Sequence, residues 1–273
     1  VYVLTRRATT RTLIPRSAKY FGKAVDRKND LRVKLSRVEE ITMKKLAIAL
    51  AGLALIGNAA IAQTNTVLSR NAVGYVRATA YKGNFIMVTH NFKDLNGGAV
   101  TVTNLIGNQV PNSSSVIFWD PLKPPSGGYV TETRIAGAWD PGTNVIVPGK
   151  GFWLRIPPSA SSNEYQVYLM GEVPDKTSLP TNSQFVIPGF NMFGHPYPVS
   201  VSFTSLPLAV SGRNTDSAIF WNNSPPFGYY TETRIAGSWD PGTNVVRPGQ
   251  GFWYRSTRTT NTVWVQPKPY TWP

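Results

Sequence analysis

The sequence predicts an all-β protein made of two tandem homologous repeats, each a β-sandwich or barrel-like unit. The stretch 128–155 returns at 228–255 with 22 of 28 residues identical. Short β-branched and aromatic runs alternate with Gly- and Pro-rich turns about every 8–12 residues, which is typical of a sandwich or barrel. No window of useful length has apolar residues at helical spacing. A single pseudo-symmetric barrel built from both copies is the alternative.

The duplicated block predicts two strands and two turns in each copy. Residues 131–135 (TETRI) and 152–156 (FWLRI) alternate as half-buried strands do. Between them, W-D-P-G and P-G-x-G supply turn chemistry. Asp accepts hydrogen bonds from nearby amides, Pro fixes φ, and Gly permits positive φ. We therefore expect Trp139 and Trp239 in equivalent, mostly buried positions.

Shorter apolar runs predict the remaining strands. In the first copy they are 72–76, 85–90, 99–106, 115–119 and 165–170; in the second they are 185–187, 190–195, 199–206, 218–221 and 262–265. The predicted domains are a first β-repeat over 63–173, a polar linker over 174–184 and a second β-repeat over 185–273. The chain has no cysteine, so neither disulfides nor thiolate chemistry are expected.

Residues 43–62 have the pattern of a bacterial signal peptide. Lys44 and Lys45 precede an apolar run, and Ala60-Ile61-Ala62 is an A-x-A cleavage site. Cleavage after Ala62 predicts a secreted or periplasmic protein. The apolar run is shorter than the about 20 residues that cross a bilayer, so we expect no membrane span in the mature chain.

Residues 1–42 are Arg-rich, aperiodic and poor in apolar runs. We interpret them as a mis-annotated upstream extension that is disordered, with translation starting at Met43. A genuine basic arm or transit-type extension is the alternative. The formal net charge of +14 falls mostly on residues before Gln63; from there on, 15 basic and 10 acidic residues remain. That remainder forms no basic stripe, so nucleic-acid binding is not expected.

Aromatic and charged residues on the polar faces of the duplicated strands are the candidate ligand-binding set. They are Trp153, Arg155, Glu132 and Arg134 in the first copy and Trp253, Arg255, Glu232 and Arg234 in the second. The two tryptophans lie opposite the apolar face of their strands, where an indole can stack on a sugar ring. The alternative is that they pack in the interior, with each N–H on a partner. Glu132 and Arg134 are also predicted to form a surface ion pair.

No residue pattern predicts catalysis. Glu132 and Asp140 could be the carboxylate pair of a glycoside hydrolase, but Asp140 is explained by its turn. His90 and His195, at matching positions, fit strand-end histidines better than metal ligands or a catalytic base. Trp119 follows an apolar run and is assigned to the core. We expect no enzyme activity, no cofactor and no metal site.

The motifs resemble those of a poorly characterised group of secreted bacterial proteins with tandem β-repeats. The resemblance rests on a GFN-type strand (Gly189-Phe190-Asn191), the W-D-P-G turn and the P-G-x-G-F-W strand, and it covers most of residues 71–273. Members often carry Asn where this chain has His90 and His195. The resemblance implies export and β-structure, and no known activity.

Together these patterns predict a secreted, non-enzymatic tandem β-repeat protein for cell-envelope, matrix or adhesive interactions. The alternative is a carbohydrate-binding, lectin-like module, and a glycoside hydrolase ranks third. The expected partner is a polysaccharide or another cell-surface component. The sequence does not fix the oligomeric state.

Overall fold

The computed structural model describes residues 2–3, 72–124, 127–175 and 179–271, and these residues are predominantly β-strand. The strands are β1 (Tyr2–Val3), β2 (Val73–Tyr81), β3 (Phe85–Thr89), β4 (Ser115–Asp120), β5 (Gly128–Ile135), β6 (Ala138–Asp140), β7 (Gly151–Arg155), β8 (Glu164–Glu172), β9 (Thr181–Val186), β10 (Gly189–Gly194), β11 (Val201–Ser202), β12 (Ser217–Asn222), β13 (Gly228–Ile235), β14 (Ser238–Asp240), β15 (Val245–Val246), β16 (Gly251–Ser256) and β17 (Thr262–Pro267). One-turn α-helices cover Val102–Leu105 and Pro207–Val210, and a 3-10 turn covers Phe203–Ser205.

Each copy of the duplicated block lies in a five-stranded antiparallel sheet. The strand orders are β3-β7-β4-β5-β6 and β10-β16-β12-β13-β14, which are equivalent. The registers also match, since Ser115 lies opposite Thr133 and Ser217 lies opposite Thr233. A smaller antiparallel layer, β2-β8 in the first repeat and β9-β17 in the second, completes each unit. β11 and β15 form a further two-stranded sheet in the second repeat.

Each repeat has its own hydrophobic core between its two sheets. In the first it contains Val116, Phe118, Phe152, Leu154, Val167 and Leu169, among others. In the second it contains Val186, Ala218, Phe220, Phe252, Tyr254 and Trp264, among others. This arrangement confirms the all-β, sandwich-like prediction. Both five-stranded sheets are open, so the alternative of one barrel built from both copies is wrong.

Trp139 and Trp239 occupy equivalent buried positions, as predicted. The indole N–H of Trp139 donates to the carbonyl of Gly107 at 2.8 Å, and that of Trp239 donates to the carbonyl of Ala209 at 3.0 Å. Each tryptophan is the central residue of a short strand, Trp139 in β6 opposite Arg134 and Trp239 in β14 opposite Arg234, and its ring joins the core of its repeat. The N–H is therefore satisfied while the ring is buried.

The predicted strand over 99–106 is wrong, because its centre is a helical turn. Thr101 caps this turn in a capping box with Asn104. Val102 and Leu105 then point together into the core at the i, i+3 spacing of a helix. The corresponding run 199–206 forms only the short β11 and a 3-10 turn.

The amino-terminal predictions fall largely outside the described residues. Only Tyr2–Val3 are described there, and they pair with Tyr75 and Gly74 of β2. The rest of the predicted extension and the predicted signal peptide over 43–62 lie outside the described ranges. β9 begins at Thr181, within the stretch predicted as a linker. No helix of the described chain is long and apolar enough to cross a membrane.

Candidate binding site between the repeats

Trp153 and Trp253 lie in a third hydrophobic cluster, between the two repeats. The cluster joins them to Met87 and Met192, and their exposed fractions are 6% and 8%. Strand alternation places these side chains opposite the core residues of β7 and β16, as predicted. The outer faces of the two five-stranded sheets meet, so that this second face is covered by the other repeat. A buried indole cannot present its full face to a sugar, so the two tryptophans do not form exposed platforms.

The contacts across this interface are reciprocal. Trp119 of the first repeat packs edge-to-face on Trp253 of the second, with ring centroids 5.5 Å apart. Trp153 packs in the same manner on Trp221 at 5.6 Å. A contact that recurs with its partners exchanged is the signature of a two-fold relation, here within one chain.

Two indole hydrogen bonds fix the sheets to each other. The N–H of Trp119 donates to the carbonyl of Phe190 at 2.7 Å. The N–H of Trp221 donates to the carbonyl of Phe85 at 3.0 Å. Trp119 therefore belongs to the interface between the repeats and not to the core of the first repeat, which corrects the sequence-based assignment.

The P-G-x-G loops cross the same boundary. Gly194 N–H donates to the carbonyl of Gly149 at 2.8 Å, and Thr89 N–H donates to the carbonyl of Gly249 at 3.1 Å. Both loop glycines have positive φ, of 85° and 77°. The conformation favours glycine, which explains this part of the motif. The duplicated P-G-x-G-F-W signature is therefore the joint between the repeats.

Two open aromatic clefts lie along this joint. The first, of about 410 Å³, is lined by Phe85, Ile117, Tyr129, Thr131, Trp153, Trp221 and Tyr229. The second, of about 440 Å³, is lined by Trp119, Tyr129, Phe190, Ile219, Tyr229 and Trp253. We call them together the paired cleft. Tyr129 and Tyr229 line both halves, with exposed fractions of 53% and 59%, so the halves adjoin at this tyrosine pair.

The paired cleft offers hydrogen-bond donors as well as rings. The indole N–H groups of Trp153 and Trp253 donate to no described residue, and neither is among the fully enclosed unpartnered atoms. Both therefore remain open to solvent beside the clefts. The guanidinium of Arg155 lies 5.7 Å from the centre of the Phe85 ring, a cation–π contact at the rim. No Asp, Glu, Lys or Arg is among the described residues that line either half.

Glu132 and Glu232 are buried and structural. One oxygen of Glu132 accepts from the Asn144 backbone N–H at 2.8 Å and from its side-chain amide at 2.6 Å. Glu232 and Asn244 repeat the arrangement. Each carboxylate thus fixes the loop after the W-D-P-G turn to its sheet, and neither lines the paired cleft. A carboxylate pair across an open cleft, as glycoside hydrolysis requires, is not formed by Glu132 and Asp140 because Glu132 is enclosed.

Arg134 and Arg234 also serve local structure. Arg134 donates to the side-chain oxygen of Asn112 at 3.0 Å and to the carbonyl of Gly137 at 3.2 Å. Arg234 donates to the carbonyl of Ala209 at 2.7 Å. The expected surface ion pair between Glu132 and Arg134 is therefore wrong.

Of the predicted ligand set, Trp153 and Trp253 line the paired cleft, Arg155 reaches its rim, and the exposed Arg255 lies opposite Phe190 on β10.

His90 and His195 are buried at equivalent strand ends, beside the P-G-x-G loops. Burial lowers the pKa of His90 to about 4, and burial also lowers the pKa of His195. The carbonyl of His90 accepts from Gly149 N–H at 3.0 Å, and that of His195 accepts from the Asn91 side chain at 2.5 Å. Within the described ranges no three His, Asp or Glu side chains converge on a possible metal site.

The exposed tyrosines and phenylalanines of the paired cleft were not predicted. Strand alternation places Tyr129 on the same face as Thr131, but the sequence pattern does not indicate that this face lines a cleft. The signal available in the sequence is the repetition of Tyr129 as Tyr229 and of Phe85 as Phe190.

No protein-family model, no curated protein and no solved structure matches this chain.

Proposed function

We propose that this chain is an exported, non-enzymatic binding protein that holds a glycan chain in its paired cleft. The observation that carries the proposal is the adjoining pair of open aromatic clefts, which meet at the exposed Tyr129 and Tyr229. Exposed aromatic patches of this kind are rare on soluble proteins without a partner. The signal-peptide pattern supports a location where polysaccharides are available.

The lining of the cleft favours sugars over a purely apolar ligand. Aromatic faces can stack on the C–H faces of sugar rings, while tyrosine hydroxyls and indole N–H groups bond to sugar hydroxyls. Ligand sites commonly combine an apolar lining with a few such polar groups. Both halves are shallow and open, which suits an extended chain better than an enclosed small molecule.

The same lining supports a proposal of binding without hydrolysis. No carboxylate is among the described residues of the paired cleft, and Glu132 and Glu232 hold loops in place. A polysaccharide ligand is consistent with the broader prediction of a cell-envelope, matrix or adhesive role. The stacking residues of this proposal are Tyr129, Tyr229, Phe85 and Phe190, and the buried Trp153 and Trp253 support them from beneath.

A glycan-array screen of the purified protein, followed by calorimetry on the best ligand, tests the proposal. The double variant Tyr129→Ala/Tyr229→Ala should lose binding by roughly tenfold or more, on the scale of aromatic contacts at binding sites. Its circular dichroism should match the parent because both rings are exposed. Phe185→Ala, which removes an exposed ring outside the cleft, is the control. Absence of any glycan ligand, or unchanged affinity in the double variant, would sink the proposal.

A further inference from the structure

A third cavity lies in the seam between the repeats, beside the paired cleft. Its volume is about 690 Å³, and its walls include Arg77 of β2 from the first repeat and Arg247 from the second. Tyr75, Tyr168 and residues 198–200 complete much of the lining. A guanidinium from each repeat therefore borders the same space.

The described lining of this cavity is basic. Its described lining contains no Asp or Glu. The side chains of Arg77 and Arg247 form no hydrogen bond or ion pair with a described residue, and both residues are exposed. A guanidinium presents several donors in a planar fork that fits a carboxylate or sulfate group in bidentate fashion. Two guanidinium groups that border one polar cavity and form no ion pair with a described residue are typical of an anion-binding subsite.

The position of Arg247 is one of the few places where the duplicated blocks differ. The first copy has Val147 there, in an otherwise closely matching sequence. Each loop contacts a strand of the other repeat: Asn182 of β9 donates to the carbonyl of Pro148 at 3.2 Å, and a Cβ at Gly249 would lie 2.5 Å from the Val76 side chain of β2. The arginine thus occurs on the copy whose loop borders the open cavity.

This cavity continues into the aromatic site. A neighbouring cavity of about 350 Å³ shares Val76, Arg77, Arg247 and Pro248 with it and is also lined by Trp221. Trp221 in turn lines the first aromatic cleft. We call the two arginine-bordered cavities the arginine groove. Trp221 therefore borders both the paired cleft and the arginine groove, so the two are neighbours, and we call them together the track.

We propose that the arginine groove is an anion subsite and that the ligand of the paired cleft is an acidic polysaccharide, whose carboxylate or sulfate groups bind Arg77 and Arg247. This inference rests on the proposed function for its glycan, but the anion subsite stands on the groove alone. Stacking in the paired cleft holds the sugar rings, and the arginines select chains that carry negative charge.

The groove fits a sparsely charged glycan better than a nucleic acid. A nucleic-acid strand carries a phosphate at every nucleotide and is held by a long basic stripe with interleaved aromatic rings. Here two arginines lie in one part of the track, and its aromatic part has no lysine or arginine in its described lining. A single-stranded oligonucleotide is therefore the competing ligand to include in the test.

Calorimetry with four probes tests the subsite. Three are oligosaccharides of equal length: an oligogalacturonate, a sulfated oligosaccharide and a neutral β-1,4-glucose oligomer. The fourth is a single-stranded oligonucleotide of the same charge as the oligogalacturonate. Arg247→Val installs the residue that the first copy has, so the loop should keep its fold. The double variant Arg77→Gln/Arg247→Val should lose roughly tenfold or more in affinity for whichever anionic oligosaccharide binds the parent protein. Its affinity for the neutral oligomer should change little. Arg213→Gln, an exposed arginine outside the groove, is the control. Binding of the anionic probe should also weaken with salt.

The outcomes separate the two proposals. Loss of charge preference in the arginine variants together with loss of all binding in Tyr129→Ala/Tyr229→Ala supports both. If no oligosaccharide binds, the paired cleft is not a glycan site. The anion subsite is then judged from the arginine side-chain N–H resonances of Arg77 and Arg247 during titration with free galacturonate and sulfate. Equal affinity for neutral and anionic probes, unchanged resonances, or tighter arginine-dependent binding of an oligonucleotide of the same charge would overturn the inference.

Discussion

Trp153 of the first repeat packs edge-to-face on Trp221 of the second, with ring centroids 5.6 Å apart. Trp119 and Trp253 make the reciprocal contact. In each contact a tryptophan of β4 or of its equivalent β12 packs on a tryptophan of β16 or β7 in the other repeat. The interface therefore has the self-complementary pattern of a two-fold dimer. Each cleft is lined by residues of both repeats, so joining the repeats in one chain keeps both clefts assembled, whereas a dissociating dimer would lose them.

Replacing Trp139 by Ala should destabilise the protein by about 3–5 kcal/mol, because a large buried ring is lost and a cavity remains. The loss also leaves the carbonyl of Gly107 without its indole donor. Urea or thermal unfolding measures the change. Leu122→Ala, at an exposed position, is the control and should stay within roughly 0.5 kcal/mol. A Trp139→Ala variant as stable as the control would contradict the position of this ring in the core.

Gly151→Ala should loosen the joint between the repeats. A Cβ at Gly151 would lie 2.7 Å from the carbonyl oxygen of Phe193, across the interface, so backbone must shift. The expected cost is about 1–3 kcal/mol, as for overpacking of a filled interior. Thermal unfolding is the measurement. Gly228→Ala is the matched control, because its Cβ meets nothing and its φ is ordinary; equal melting of the two variants would refute the close approach.

Acid should destabilise the protein through His90. Burial lowers the pKa of His90 from 6.5 to about 4, so between these values the unfolded chain binds more protons than the folded one. Stability is therefore full above about pH 6.5 and falls as the pH drops toward 4, by roughly 3 kcal/mol from this group. Unfolding free energies across that range measure it. The comparison with His90→Asn isolates the contribution of the histidine together with its electrostatic coupling to Asp94. Parallel pH curves would contradict the burial of a neutral ring.

The repeat architecture could be predicted because its signals are local. The duplicated block identifies its own boundaries, and its turns carry Pro and Gly where the backbone needs them. Trp139 stands directly before the D-P-G turn in one copy and Trp239 does so in the other, so equivalent positions for the two rings could be expected. The helical turn at Val102–Leu105 could not, because AVTVTNLI alternates like a strand and only the Thr101–Asn104 capping box gives the alternative.

The candidate site could be predicted only in part, because alternation shows which side chains share a face and not what covers that face. Trp153 lies opposite the core of its repeat, as its strand pattern indicates, but the other repeat covers it. The alternation of residues 131–135 predicts an exposed Glu132 on the same strand face as Arg134. Glu132 is instead buried, and Asn144, twelve residues along the chain, donates two hydrogen bonds to one of its carboxylate oxygens. The other oxygen is buried without a partner among the described residues.

A short glycan should bind the paired cleft with a stoichiometry of two. The two halves have equivalent linings, with Phe85 in the first and Phe190 in the second. A disaccharide of the preferred polymer is small enough to occupy one half, so each half should act as a separate site. Calorimetric titration of the parent protein with that disaccharide gives the number directly.

Phe85→Ala and Phe190→Ala assign the two sites. Each removes an aromatic wall from one half and leaves the other unchanged, so each variant should retain one site of near-parental affinity and lose or weaken the second. The polymer, which contacts both halves at once, should lose affinity in either variant because its contacts are linked along one chain. Phe185→Ala should bind both ligands as the parent does. A parental stoichiometry of one for the disaccharide, or equal effects of Phe85→Ala on both sites, would show that the halves do not act as separate subsites.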